Sequence, residues 1–230
     1  GKTADGSLFR VTVGSVQTLM RDNRLKKFRS DHYDVIVVDE AHHVLANSYQ
    51  KVLNHFEGAR VLGVTATPDR GDRKDLGEFF EEIAYDYPLP QAIKDGFLCK
   101  ISALTIPLEI DISGVKSVAG DLQAKGLGTA LDPYLEEIAN QMVEHCRDRK
   151  TAVFLPLVKT SQKMSYLLEQ RGFDVREVNG ESSDRAEILG YNDEDGAKVD
   201  GWFDTAGKGS VICNSMLLTE GWACPTVDCV

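Results

Sequence analysis

Asp39-Glu40-Ala41-His42 comes directly after four apolar residues, Val35-Ile36-Val37-Val38. The run from Tyr33 to Val38 is rich in β-branched residues and predicts a buried parallel strand. Two adjacent carboxylates at the C-terminal end of such a strand stand where open α/β sheets bind their ligands. There one Asp can hold a magnesium ion that bridges phosphates, and the following Glu can orient and deprotonate an attacking water. A lone Asp-Glu pair closing a strand is commonly a solvated acidic turn. The same pair followed by Ala-His and preceded by four apolar residues is a far more specific pattern.

Other polar clusters punctuate the chain at similar places. Gly63-Val64-Thr65-Ala66-Thr67-Pro68 ends another strand-like run with two hydroxyls two residues apart and a proline that stops it. In a parallel sheet this end lies beside the Asp39-Glu40 strand end, so Thr65 or Thr67 is placed to bond His42 or the carboxylates. By itself the segment reads as a turn with hydroxyl capping. Gly14-Ser15-Val16-Gln17-Thr18-Leu19 opens a helix with free amides and hydroxyls that suit a phosphate, although a serine N-cap explains it equally. Asn179-Gly180-Glu181-Ser182-Ser183-Asp184-Arg185 divides evenly between backbone-phosphate contact and a plain capped helix. Asn214-Ser215-Met216-Leu217-Leu218-Thr219-Glu220-Gly221-Trp222 follows a buried run. Asn214, Thr219 and Glu220 are expected to face a crevice, and Met-Leu-Leu to join the core. Gly1-Lys2-Thr3 has the letters that end a phosphate-binding loop, G-x-x-x-x-G-K-S/T. The first glycine and the strand before it are absent, so it reads as a decoy.

The elements that position these groups alternate along the chain. Strands are predicted at 10–13, 35–38, 60–65, 152–155, 174–178 and 210–213, with amphipathic helices at 131–146 and 160–171 among those between them. This is the pattern of βαβ units with mostly parallel sheets. Residues 113–129 hold four glycines and few large apolar residues, which predicts an irregular connection between two lobes. The expected organisation is therefore lobe one at 1–108, a connection at 109–130 and lobe two at 131–230. Residues 190–209, acidic and Gly-rich, read as a mobile surface insertion.

Bulk properties narrow the class. The 230 residues suit one large domain or two small ones, with 42% hydrophobic and 27% charged residues, as in ordinary globular proteins. A net charge of −10 leaves any nucleic-acid contact to a local groove of amides and a few basic side chains. Five cysteines without a C-x-x-C pair argue against a zinc site or disulfide framework and for a reducing compartment. The chain has no long apolar run and no signal-peptide pattern, so no membrane contact and a cytoplasmic location are expected.

Together these segments resemble the superfamily 2 helicases, in the DEAH-type branch that includes the XPB-like and type III restriction helicases. The matches run in family order. Residues 13–19 resemble motif Ib, 37–42 motif II, Thr65-Ala66-Thr67 motif III, 152–161 motif IV, 179–185 the segment after it, and 214–225 motif V. Residues 75–101 resemble the exit from the first lobe, with Asp86-Tyr87-Pro88-Leu89 and Ala92-Ile93-Lys94-Asp95-Gly96.

The resemblance implies an α/β fold of two RecA-like lobes, with ATP and magnesium at their interface and nucleic acid, DNA rather than RNA, across another edge. By it Asp39 would hold magnesium, Glu40 would activate water, and His42 with Thr65 and Thr67 would couple hydrolysis to lobe movement. Glu220 and Gly221 of motif V would share that coupling. Gly14, Ser15, Gln17 and Thr18 would grip strand phosphates on lobe one, and Gly180, Ser182, Arg185, Asn214 and Thr219 on lobe two.

The family's motif I, nucleotide-base motif and arginine-finger motif VI have no counterpart here, and Ala223 stands where motif V usually carries an acid. A fragment that hydrolyses ATP poorly, cut from an ATP-dependent helicase or translocase, is expected. The alternative is a non-hydrolysing nucleic-acid-binding or scaffold protein with a degenerate helicase fold.

Overall fold

The computed structural model describes residues 11–67, 76–108, 110–118, 121–193, 196–219 and 222–230. The chain divides into two compact units, Gly1–Ile101 and Ser102–Val230, each with a parallel sheet of its own.

In the first unit, short helices α1 (Val16–Leu19) and α2 (Asp22–Leu25) precede β1 (Val35–Asp39), α3 (Asn47–His55), β2 (Arg60–Val64) and α4 (Leu89–Lys94). β1 and β2 pair in parallel with Asp39 opposite Val64, and the chain crosses between them through α3. Alternation along β1 and β2 gives the sheet one core face, where Ile36, Val38 and Val61 pack with Ala41, Val44, Leu53, Phe79 and Phe80. Leu25, Val52 and Phe56, with Phe28 and Tyr33, bind α2 and α3 into a second apolar nucleus.

On the sheet's other face Leu62 is 48% and Val37 61% exposed. The strand expected at 35–38 to be buried is, among the described residues, covered on one face only. Residues 11–13, predicted as a strand, join no ladder among the described residues; Val13 is 96% exposed. Without a neighbouring strand, a β-prone tripeptide has nothing to hold it extended.

Gly63 fits the core face because it has no side chain. A Cβ there would lie 2.4 Å from the Phe80 ring and 2.8 Å from the Cβ of Ala41. Phe80 can thus cross the sheet beside the end of β1. Gly63→Val should lower stability by about 1–3 kcal/mol through overpacking. The denaturant midpoint of the variant measures this, and an unchanged midpoint would mean that Phe80 is not held against the strand.

The second unit begins with the small hairpin β3 (Ser117–Val118) and β4 (Asp121–Leu122), then α5 (Ala124–Leu131) and α6 (Leu135–His145). It continues through β5 (Thr151–Phe154), α7 (Val158–Glu169), β6 (Asp174–Val178) and α8 (Arg185–Leu189). A second hairpin, β7 (Tyr191–Asn192) with β8 (Lys198–Val199), leads to α9 (Trp202–Thr205) and β9 (Ser210–Asn214). The main sheet has strand order β5-β9-β6, all parallel, with β9 central and buried at all five positions. Leu135, Ala139 and Met142 of α6 and Met164, Leu167 and Leu168 of α7 share a core with Val175, Val211 and Cys213. Ile188 and Phe203 pack with Ala152, Val178 and Ile212 in a separate core. A strand with a core on each side must be apolar throughout, as Val211-Ile212-Cys213 is.

Two expectations need correction here. The stretch 113–129 contains the β3-β4 hairpin and most of α5, because its glycines are contact points as well as breakers: a Cβ on Gly128 would lie 2.4 Å from Leu157. The expected insertion at 190–209 lies on the surface at its described residues from 191 to 200, but its second part, around α9, is anchored. Phe203 is fully buried, stacks on Trp222 at 6.0 Å and carries the Lys150 ammonium 4.8 Å above its ring. Two aromatic residues anchor a segment that its acidic and glycine content alone would leave unstructured.

Candidate active site

The end of β1 is built by a sharp change of backbone direction. Asp39 closes the strand and is exposed, while Glu40 adopts a left-handed conformation at φ 50° and donates its N–H to Asp39 Oδ1 at 3.0 Å. A single 3-10 turn, Ala41–His43, follows. Ala41 and Val44 are buried almost completely and pull this turn onto the core, leaving Glu40 and His42 partly exposed at the strand end.

His42 Nδ1 lies 3.1 Å from Thr65 Oγ1 and 3.3 Å from Glu40 Oε2. The contact to Thr65 is a hydrogen bond, and Glu40 lies within ion-pair distance of the same nitrogen. Thr65 Oγ1 also accepts the Thr67 N–H at 3.1 Å. The parallel register makes this meeting possible, since Thr65 is the residue after Val64, the partner of Asp39. Thr65 thus contributes its hydroxyl and Thr67 its amide, the Thr67 side chain being exposed.

The donor set suits magnesium bound with a nucleotide. Such an ion takes one or two carboxylates and fills its remaining positions with phosphate oxygens and water. Asp39 offers one exposed carboxylate, and the described residues form no cluster of three or more potential ligands that would make a closed all-protein site.

The candidate phosphate-gripping residues of the first unit lie on the surface at the start of α1. Gly14, Ser15, Gln17 and Thr18 are all exposed, and Ser15 Oγ donates to Thr18 Oγ1 at 2.9 Å instead of capping the helix. Gly1-Lys2-Thr3 lies outside the described residues.

In the second unit the sheet register sets Val178 beside Asn214, so the loops leaving β6 and β9 emerge at one edge. Asn179 Oδ1 accepts the Glu181 N–H at 2.8 Å, and Ser182 Oγ accepts the Asn179 N–H at 2.9 Å. This tight turn presents Gly180 and Arg185 to solvent, with Ser182 half-buried in its bond. Thr219 is exposed on the neighbouring loop. Glu220 and Gly221 lie outside the described residues.

Asn214 departs from its expected role. It is fully buried, with Nδ2 donating to Val153 O at 3.0 Å and Oδ1 accepting the Leu218 N–H at 3.2 Å. A polar residue ending a strand was expected to face a crevice; on a central strand it instead faces its neighbours and sets the loop that follows. Met216, expected in the core with Leu217 and Leu218, stands 69% exposed at φ 57°, and only Leu218 is buried. Nothing in its apolar character signalled that position.

Residues 2–70 match the family described as type III restriction enzyme, res subunit. Over 96% of its length the chain is 30% identical to IRC3 of Saccharomyces cerevisiae, named as an ATP-dependent helicase, and covers 32% of that protein. Over its whole length it is 30% identical to irc3 of Schizosaccharomyces pombe, named as a mitochondrial ATP-dependent helicase, and covers 38% of it. The chain therefore spans only about a third of these relatives. A solved fragment of an HsdR subunit of a type I restriction enzyme from Vibrio vulnificus YJ016 matches 90% of this chain and 38% of that one, with a TM-score of 0.61 and 23% identity. That likeness establishes the fold: mixed α/β with parallel sheets, consistent with RecA-like lobes.

Proposed function

We propose, for a chain that carries the superfamily 2 helicase domain of the type III restriction enzyme res subunit family, that its parent protein couples hydrolysis of magnesium-ATP to movement along DNA. The observation that carries this proposal is His42 Nδ1 held between Glu40 and Thr65 at the end of β1. A general base, a strand-end hydroxyl and the imidazole between them form a path from the bond being broken to the adjacent strand. Asp39 would hold the magnesium ion, which when bound neutralises phosphate charge and orients the γ-phosphate. Glu40 would take the proton of the attacking water. His42, within ion-pair distance of Glu40, would report the charge of that carboxylate to Thr65, and through Thr65 to the Thr67 amide.

DNA is favoured over RNA by the restriction-enzyme names of the matching family and the matching structure. Exposed Gly14, Ser15, Gln17 and Thr18, with Gly180, Arg185 and Thr219, suit contacts to phosphates that carry no sequence information. Ser182 and Asn214 would act by holding the two loops of the second unit in shape.

The test is phosphate release by the full-length protein with and without duplex DNA or RNA. Stimulation by DNA is expected; no ATP hydrolysis with either nucleic acid would refute the proposal, and stimulation by RNA alone would overturn the substrate class. Thr65→Val removes the hydroxyl shared by His42 and the Thr67 amide. It should lower the amount of strand displaced per ATP hydrolysed roughly fivefold, the value of about 1 kcal/mol for the one hydrogen bond to His42. An unchanged ratio would remove Thr65 from the coupling path.

A further inference from the structure

Two of the five cysteines meet in space although 83 positions separate them. Cys146 Sγ and Cys229 Sγ are 3.7 Å apart, both as free thiols. Cys146 is buried at the C-terminal cap of α6, within the core shared with α7, and Cys229 is partly buried against the same core.

The backbone around Cys229 is already fastened to the sheet. The Ala152 N–H donates to Cys229 O at 3.0 Å, and the Cys229 N–H donates to Lys150 O at 3.2 Å. Lys150 adds its own N–H to Asp228 Oδ1 at 2.7 Å and its ammonium to Thr226 Oγ1 at 2.6 Å. Residues 226–229 thus lie along the outer side of β5, and the sulfur contact is the place where a covalent bond could close that seam.

We propose that Cys146 and Cys229 form a reversible disulfide under oxidation, which locks the segment after the motif V-like loop onto β5. Cys229, the more accessible thiol, reacts first with hydrogen peroxide. Its sulfur bonds to one oxygen, the O–O bond breaks, and the departing oxygen leaves as water with the thiol's proton. The Cys146 sulfur then attacks the resulting sulfenic acid. An S–S bond forms, the S–O bond breaks, and a second water leaves with the Cys146 proton. Two thiols and one peroxide give one disulfide and two waters, so two electrons pass from sulfur to oxygen.

The surroundings make the pair quiet until the first step occurs. Burial, and then the charge and contact of Cys229, push the Cys146 thiol up to about 11, with Thr151 and Arg149 pulling weakly the other way. Once Cys229 is a neutral sulfenic acid its charge no longer opposes ionisation of Cys146. Bond formation needs the sulfurs at about 2.05 Å, a shift of the size that a side-chain torsion supplies. The other cysteines are not so placed. Cys213 is fully buried on β9, Cys99 is exposed, and Cys224 contacts the Thr226 hydroxyl at 3.3 Å.

The experiment exposes the purified full-length protein to stoichiometric hydrogen peroxide, blocks remaining thiols under denaturing conditions, and maps linked peptides by mass spectrometry. A linked pair joining residue 146 to residue 229 is expected, with the loss of two titratable thiols restored by dithiothreitol. Cys224→Ser should keep the link and Cys229→Ser should abolish it; both positions are partly exposed, so neither variant endangers folding as Cys146→Ser would. Oxidation should also raise the melting temperature of the second unit by at least about 5 °C, an increase absent in Cys229→Ser. Linkage of residue 146 to residue 224, or progression of Cys229 to sulfinic acid while Cys146 stays free, would overturn the proposal.

Discussion

Glu40→Gln in the full-length protein should cut ATP turnover by about 10²–10⁴-fold, the usual loss when a general base is removed. The amide keeps the shape of the carboxylate, and Ala41 and Val44 stay buried, so the turn at the end of β1 should persist. Nucleotide binding should survive as well, because on the proposed reading Asp39 and the phosphates, not Glu40, would hold the metal. Asp39→Ala should lose magnesium-dependent binding together with turnover, and would also free the Glu40 N–H that Asp39 Oδ1 accepts. Steady-state hydrolysis and a fluorescent-nucleotide titration of both variants separate the two roles. Wild-type hydrolysis by the Glu40→Gln protein in the presence of nucleic acid would mean that the active site lies elsewhere.

The second large effect is expected in folding. Asn214→Leu preserves approximate volume on β9 but strips Val153 C=O and Leu218 N–H of their side-chain partner. Buried polar groups left in this way should cost about 2–4 kcal/mol together. Urea denaturation followed by tryptophan fluorescence is a suitable probe, because Trp202 and Trp222 both pack on the core that Ile212 and Leu218 share. A protein of undiminished stability that had lost nucleic-acid binding would place Asn214 at the contact surface, against its complete burial.

The sequence patterns that located strands well were the ones with a simple physical cause. The run of β-branched residues at 35–38 marked the strand at Val35–Asp39, and the strands expected at 174–178 and 210–213, with two β-branched residues each, are found at Asp174–Val178 and Ser210–Asn214. Composition failed where a few tertiary contacts outweigh it. The Gly-rich centre still folds into α5 because Leu157 presses on Gly128, and the acidic stretch is held by Phe203.

At the site, adjacent strand ends can be anticipated from parallel topology, yet the sequence does not say which threonine points toward His42. Parallel register places Thr65 one residue past Val64, the partner of Asp39, but only the three-dimensional turn after β2 assigns the hydroxyl to Thr65 and the amide to Thr67. Asn214 shows the opposite difficulty. A polar residue between an apolar strand and a loop looks the same in sequence whether it serves a ligand or its own backbone; only the central position of β9 decides.

The left-handed Glu40 is a place where folding and chemistry pull against each other. A non-glycine residue at φ 50° carries a conformational penalty of roughly 1–3 kcal/mol when held in such a region. Glycine would turn the chain there without that strain. A glycine, however, has no carboxylate to receive a proton and nothing for His42 to hold. If Glu40 is the base, the position sacrifices stability for activity, and the buried anchors Ala41 and Val44 on its C-terminal side are what allow the sacrifice. Screens that select only for thermal resistance should therefore drift toward glycine at this position and yield well-folded, silent proteins.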